Sequence, residues 1–368
     1  MNKILYIFDA ADTGSRMPVA LGAQEKGYNV TIGLIGGSEA VAEGFETILL
    51  PKPQGALGPL AMLKTIRAVR EAVVTTQPNI LHTVTLKYAF ICGLASLFLP
   101  CKKIYTLAGL GYLFHGAGKK AALLQMLAAP FLYFILRSKN TFLIFQNPDD
   151  MALMQAKKFA NKNRSFLVRG SGVDLEKFKY VTEPENNPPV VLMPTRLVQE
   201  KGIDVFIAAA HLLNDKGINA AFFIAGGETA HNPRAISAAQ MHEMIEGSPV
   251  EWLGRVADMP ALLSSANLIV YPSHYGEGIP RVLLEACAAG RAIVTTDHTG
   301  CREAVRDGDN GLLVPIKNPQ KTAEAIAILL HDEEKRLSMG RNARARAETE
   351  FSIDLIVKKT LEVYGACR

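Results

Sequence analysis

The sequence predicts an α/β protein built from two doubly wound, Rossmann-like parallel sheets. Three observations predict it. Short β-rich apolar runs alternate with helical patterns from residue 3 onward. A charged, proline-rich stretch at 176–189 (E-K-F-K-Y-V-T-E-P-E-N-N-P-P) breaks the alternation, which restarts at Val190. Strands separated by helices pair in parallel, with helices on both faces of the sheet. At 368 residues the chain is long enough for two separate cores.

In the first half, residues 3–8 read as a strand, and the loop 9–15 leads into a helical pattern over 17–26 that stops at Gly27. Strands follow at 28–34, 47–50, 80–83 and 103–107, with helical segments at 58–76 and 87–98. Ligands of such sheets sit outside the carboxyl ends of the strands, so the loops 9–16, 83–87 and 108–118 are expected to share one rim. The second half offers strands at 190–195, 220–225, 250–253, 268–271, 292–295 and 312–314, with a helix over 202–215. The expected domains are 1–178 and 188–352, with the final helix in 353–368 returning to the first.

Hydrophobic residues make up 49% and charged residues 20%, a globular composition without a disordered tract. The net charge of +5 suits acidic small molecules or an anionic lipid surface and is too weak to argue for nucleic acid. The five cysteines are scattered with no C-x-x-C spacing, which points to reduced thiols in the cytoplasm rather than disulfides or zinc. The start, M-N-K-I-L-Y-I-F-D, reads as a first strand rather than a signal peptide.

The most informative stretch is 274–285, H-Y-G-E-G-I-P-R-V-L-L-E, after the apolar run 267–271. It reads as strand, loop and helix, with Gly276 and Gly278 where the helix begins, and a helix N-terminus is an anion site. Glu277 is expected in the loop and Glu285 about two turns into the helix. Carboxylates beside a diphosphate would repel it, so they are better suited to hydroxyl groups of a sugar and a ribose. The alternative is an ordinary strand–loop–helix with two solvated glutamates. Arg196 and Lys201 share the loop P-T-R-L-V-Q-E-K-G. A guanidinium forks onto two phosphate oxygens and an ammonium acts as a point charge, unless both are merely solvated.

Other patterns are weaker. Asp307-Gly-Asp309 has a metal-binding D-x-D spacing, yet D-G-D-N-G is a turn sequence and is read as one. The glycines 111 and 116 have P-loop spacing without the following Lys-Ser/Thr, and no G-x-G-x-x-G opens the first helix, so no dinucleotide cofactor is expected. Residues 119–139 place an apolar stretch between basic ends, broken by Pro130 and short of a membrane span. It is either a core helix or an interfacial segment that meets anionic head groups.

The motifs M-P-T-R-L-V-Q-E-K-G (193–202), A-G-G-E (225–228), W-L-G-R-V-A-D (252–258), Y-P-S-H-Y-G-E-G-I-P-R-V-L-L-E-A (271–286) and D-G-D-N-G-L-L-V (307–314) together resemble the family 4 glycosyltransferases. These are retaining nucleotide-sugar enzymes of GT-B fold, two Rossmann-like domains facing across a cleft. S-R-M-P (15–18) and A-G-L-G-Y-L-F (108–114) look like the subgroup that extends bacterial undecaprenyl-diphosphate-linked sugars. A glutamate that precedes G-L-G in that subgroup is Ala108 here.

The resemblance implies an N-terminal acceptor domain and a C-terminal donor domain. It implies transfer of an N-acetylhexosamine or hexose from a UDP-sugar to a lipid-linked saccharide at the inner face of the cell membrane. Arg196 and Lys201 would bind the donor diphosphate in place of a metal, with no cofactor. Glu277 would touch the donor sugar and Glu285 the ribose. Gly254, Arg255 and Val256 would hold the base, and Gly278, Ile279 and the neighbourhood of Pro280 the sugar and diphosphate. Gly14, Ser15 and Arg16 would face the diphosphate, and Gly111 and His115 the acceptor, His115 being equally at home as a structural residue. A nucleotide-sugar epimerase and a non-catalytic sugar-nucleotide binder are the alternatives, and the R-x4-K and E-x7-E spacings favour transfer.

Overall fold

In the computed structural model, residues 2–38, 42–52, 59–115, 119–229, 232, 234–274 and 276–367 are described. The chain divides into two units, Met1–Ser171 with Ile353–Arg368, and Gly172–Ser352. The first contains strands β1 (Lys3–Asp9), β2 (Asn29–Ile35), β3 (Glu46–Leu50), β4 (Ile80–Val84), β5 (Lys102–Leu107), β6 (Thr141–Phe145) and β7 (Ser165–Leu167). Its helices are α1 (Thr13–Glu25), α2 (Pro59–Thr76), α3 (Leu86–Ala95), α4 (Gly111–His115), α5 (Lys119–Arg137) and α6 (Pro148–Ala156). The second contains β8 (Val190–Pro194), β9 (Ala221–Ala225), β10 (Val250–Trp252), β11 (Leu268–Tyr271), β12 (Ala292–Thr296) and β13 (Gly311–Val314). With them run α7 (Ile203–Asp215), α8 (Ala238–Ile245), α9 (Met259–Ser264), α10 (Arg281–Ala288), α11 (Cys301–Ala304), α12 (Pro319–His331) and α13 (Glu333–Arg346), and the last helix, α14 (Ile353–Ala366), belongs to the first unit.

Among the described residues, the first sheet runs β3-β2-β1-β4-β5-β6-β7 and the second β10-β9-β8-β11-β12-β13, with every strand pair parallel. Both sheets reverse direction of winding beside their first strand, between β1 and β4 and between β8 and β11. There the loops leaving the carboxyl ends diverge and leave a crevice. In β1, Ile4, Tyr6 and Phe8 enter one buried cluster while Leu5 and Ile7 enter another, the period-2 alternation of a strand covered on both faces. The α14 helix packs closely on α1, where a Cβ on Gly22 would come within 2.4 Å of the Val357 side chain.

Three local features differ from the sequence reading. Strands β6 and β7 extend the first sheet beyond the strand expected at 103–107. Residues 172–178 group with the second unit, since Val173 and Phe178 are buried in a cluster with Leu283 and Phe351. The helix after the glycine-rich loop starts at Arg281 rather than at Gly276–Gly278, so Glu285 stands just over one turn into α10, not two.

The 119–139 stretch folds as α5 with two unlike faces. Leu132, Ile135 and Leu136 are buried in the core, while Leu123, Leu127, Phe131 and Phe134 form an exposed stripe at i, i+4, i+8 and i+11. No helix among the described residues is long and apolar enough to cross a membrane.

Candidate active site

The site-bearing loops of the second unit leave β8 and β11, adjacent strands on either side of the winding reversal. Two glycines let these loops approach. Gly202 has φ +78, and a Cβ there would lie 2.2 Å from the Pro272 carbonyl oxygen. Gly226 has φ +154, and its Cβ would lie 1.5 Å from the Thr195 oxygen. Backbone hydrogen bonds tie the loops further: His274 N–H donates to the Glu200 oxygen at 2.9 Å, and Gly226 N–H to the Gly254 oxygen at 2.7 Å. The segments 195–202, 225–228, 254–256, 272–274 and 276–280 are thereby brought to one edge.

At that edge Lys201 forms an ion pair with Glu277 Oε1, 76 residues away in sequence. The Tyr271 hydroxyl donates to the same oxygen at 3.2 Å, and the Lys201 ammonium stands 5.3 Å from the Tyr271 ring centroid. Burial, reinforced by the Glu277 charge, pushes the Tyr271 phenol well up, so it remains a donor. The Lys201 side chain is 4% exposed and that of Glu277 21%. Glu277 Oε2 has no hydrogen bond among the described residues and is available to a ligand hydroxyl. Arg196 is exposed, and its charge is felt at the Tyr271 phenol.

Glu285 receives the Arg281 Nε at 2.9 Å, one helical turn away. Burial raises its pKa and the Arg281 charge opposes that shift. Pro280 is the N-cap of α10 and provides no side-chain cap, so the first amides of the helix lack a capping side chain beside Gly278 and Ile279. Gly254 turns with φ +67, Arg255 is exposed, and Val256 is half-buried. Residues 307–311 form a turn: Gly308 N–H donates to the Gly311 oxygen, Asp307 accepts from Leu313 N–H, and Asp309 accepts from Asn342.

In the first unit, Gly14, Ser15 and Arg16 occupy the first turn of α1, where the Ser15 hydroxyl donates to the Asp12 carbonyl at 2.9 Å. Gly111 opens α4 with φ +56. His115 ends that helix, and its side chain lies outside the described residues, as do the side chains of Lys119 and Lys120.

Sequence reasoning missed Tyr271 and Glu200. Tyr271 ends an apolar strand and carried no polar pattern, although a tyrosine at the carboxyl end of a parallel strand is a placement signal. Glu200 receives Arg234 at 3.0 Å and keeps a buried Oε2 without a hydrogen bond.

Residues 174–346 match the family model described as glycosyl transferases group 1. The chain is 28% identical over 334 residues to the N,N'-diacetylbacillosaminyl-diphospho-undecaprenol alpha-1,3-N-acetylgalactosaminyltransferase of Campylobacter jejuni, covering 87% of this chain and 86% of that protein. Among solved structures, the sucrose-phosphate synthase of Thermosynechococcus elongatus superposes with a TM-score of 0.81 at 19% identity over 100% of this chain and 99% of that one. HepE of Anabaena in complex with UDP-glucose superposes with a TM-score of 0.78 at 20% identity, covering 100% of both chains.

Proposed function

We propose that the chain, a glycosyltransferase of GT-B fold whose residues 174–346 match the group 1 glycosyl transferases, moves an N-acetylhexosamine or hexose from a UDP-sugar to a polyprenyl-diphosphate-linked saccharide. The product would be a surface polysaccharide or glycan. The observation that carries this reading is the Arg196, Lys201 and Glu277 constellation at the winding reversal of the second sheet. The Campylobacter relative, named for a diphospho-undecaprenol acceptor, supports the acceptor class.

In this mechanism Arg196 and Lys201 stabilise negative charge that grows on the departing diphosphate, a preorganised electrostatic role that needs no divalent ion. The first amides of α10 add dipoles at the same position. Lys201 is already held by Glu277 and Tyr271, so its ammonium pays no reorganisation when the bond breaks. The free Glu277 oxygen accepts a hydrogen bond from a sugar hydroxyl, and Glu285 does so from the ribose. Gly254, Arg255 and Val256 receive the base. Gly14 and Ser15 contribute to the phosphates, and Gly111 and His115 to the acceptor. The leaving phosphate oxygen takes the proton of the incoming hydroxyl on the same face, which retains the anomeric configuration without a dedicated protein base.

The exposed stripe of α5 favours a peripheral seat on an anionic membrane beside a lipid-linked acceptor, at the cytoplasmic face. Arg137 and Lys139 stand at its end. Radiolabelled UDP-sugars incubated with and without a lipid-linked acceptor test the function. Label in the lipid fraction is expected; isomerised donor, or bound but unchanged donor, would replace transfer with epimerisation or simple binding.

A further inference from the structure

The first sheet ends on β3, whose outer edge pairs with no other strand among the described residues. Of the edge strands β3, β7, β10 and β13 it is the longest, at five residues. Free edges are normally blunted by charge, proline or a covering element, because they template pairing with another chain. Strand β3 (E-T-I-L-L) contains neither lysine nor proline, and its one carboxylate, on Glu46, accepts from the Thr31 hydroxyl of β2 at 3.1 Å. Leu49 stands 49% exposed on it.

Beside that edge lies a groove of about 520 Å³, lined by Leu49, Pro51 and the α2 residues Lys64, Arg67, Ala68 and Glu71. Helix α2 joins the parallel strands β3 and β4 and therefore runs back along β3, which brings the turn around Ala68 beside Leu49. The four α2 residues recur at i, i+3, i+4 and i+7 and form one stripe along the helix. Lys64, Arg67 and Glu71 are exposed, and among the described residues they form no ion pair and no side-chain hydrogen bond. Along the chain the stripe reads base, base, small residue, acid. Turned end for end, it complements itself. An antiparallel copy centred between residues 67 and 71 sets Arg67 against Glu71 of the partner subunit, twice by symmetry, and Ala68 lets the two helices approach.

We infer that the β3–α2 edge of the first unit is a two-fold interface at which a second copy of this chain pairs β3 with β3 in antiparallel fashion. A two-fold axis normal to the sheet near Ile48 produces that pairing and keeps both α2 helices on one face, side by side and antiparallel. The exposed Leu49 and the free backbone of β3 are then covered, and the charges of the stripe are matched. Helices α2 and α5 pack on the same buried cluster and so cover the same face of the sheet. The axis therefore presents the exposed α5 stripes of both copies on one side, where two weak membrane seats act as one stronger anchor. That anchor rests on the membrane seat proposed above, whereas the pairing does not.

Sedimentation equilibrium of the full chain tests the pairing without any substrate. At about 10 µM the wild-type chain should be a dimer, as expected for an isologous contact of standard size. Arg67→Glu or Glu71→Arg alone sets like charges face to face twice per dimer and should weaken association by about tenfold to a hundredfold. The double reversal Arg67→Glu/Glu71→Arg should restore it, and Leu49→Lys should leave a folded monomer. Far-UV circular dichroism should be unchanged in all four. A wild-type chain that stays monomeric at about 100 µM, or a dimer indifferent to every one of these substitutions, overturns the pairing. So does a monomer whose Lys64 and Arg67 bind phosphatidylglycerol vesicles or an oligoglutamate peptide, since the groove then belongs to that partner. Sugar transfer enters none of these readouts, so the pairing and the transferase reading stand or fall separately.

Discussion

Replacing Lys201 by methionine should both destabilise the second unit and stop turnover, and the two effects can be separated. Lys201 is nearly buried against Glu277, which keeps 21% of its side chain in water. Removing one partner of a fully buried ion pair costs about 3–5 kcal/mol, because the other charge is left without its partner. Partial hydration of Glu277 and the remaining Tyr271 hydrogen bond lower that to about 2–3 kcal/mol, or a fall of roughly 5–10 °C in Tm for a unit of this size. Urea unfolding followed by the fluorescence of Trp252 measures it cleanly, since the chain has one tryptophan and it lies in β10. Adding Glu277→Gln should recover most of the stability, because no charge is then stranded. Turnover should remain at least about a hundredfold below wild type in both variants, since the cation proposed to face the leaving group is gone. A single variant that unfolds at the wild-type urea concentration would refute the ion pair. Restored turnover in the double variant would make Lys201 a structural residue only.

Two further expectations follow from the first unit. The His82 ring, held down to about 3 by burial and then by the Arg16 charge, should show no titration of its NMR signals between pH 8 and pH 4. Below pH 6.5 the unfolded chain takes up a proton that the folded one does not. Stability from this group is therefore complete above pH 6.5 and declines as pH falls toward 3, by up to about 1.4 kcal/mol per pH unit; a ring that titrates near 6.5 would contradict this. Replacing Leu127, Phe131 and Phe134 together by serine should abolish co-sedimentation with anionic liposomes while leaving the fold intact, whereas Leu132→Ala should cost about 2–5 kcal/mol of stability. Unchanged sedimentation of the triple variant would count against the membrane seat.

The strands of the second unit were legible because each is a short apolar run bounded by glycine, proline or a charged turn. Strand β6 was not. Its T-F-L-I-F run has no polar alternation and follows the apolar 119–139 stretch, so periodicity alone could not separate strand from buried helix. The same stretch looked like either core or surface because an α5 that buries Leu132 and exposes Phe134 is both, and the split depends on neighbours contributed by α3 and β6. Arg196, Lys201, Glu277 and Glu285 could be found by type and spacing. That Lys201 is consumed by Glu277 could not, since their contact is created by the β8–β11 pairing and by the glycines that let two loops meet. The helix start at Arg281 was misplaced because Pro280, which lacks an N–H, makes a good boundary, while the glycines before it suit an extended loop equally well.

The most direct test is the turnover of Arg196→Ala measured in EDTA with UDP-sugar and a lipid-linked acceptor. Arg196 is exposed and holds no structural contact comparable to that of Lys201, so the variant should fold as wild type does. A loss of at least about a hundredfold, with wild-type enzyme fully active in the chelator, is the expected result. Near-wild-type turnover of the variant, or a wild-type enzyme that EDTA silences and manganese restores, would contradict the account.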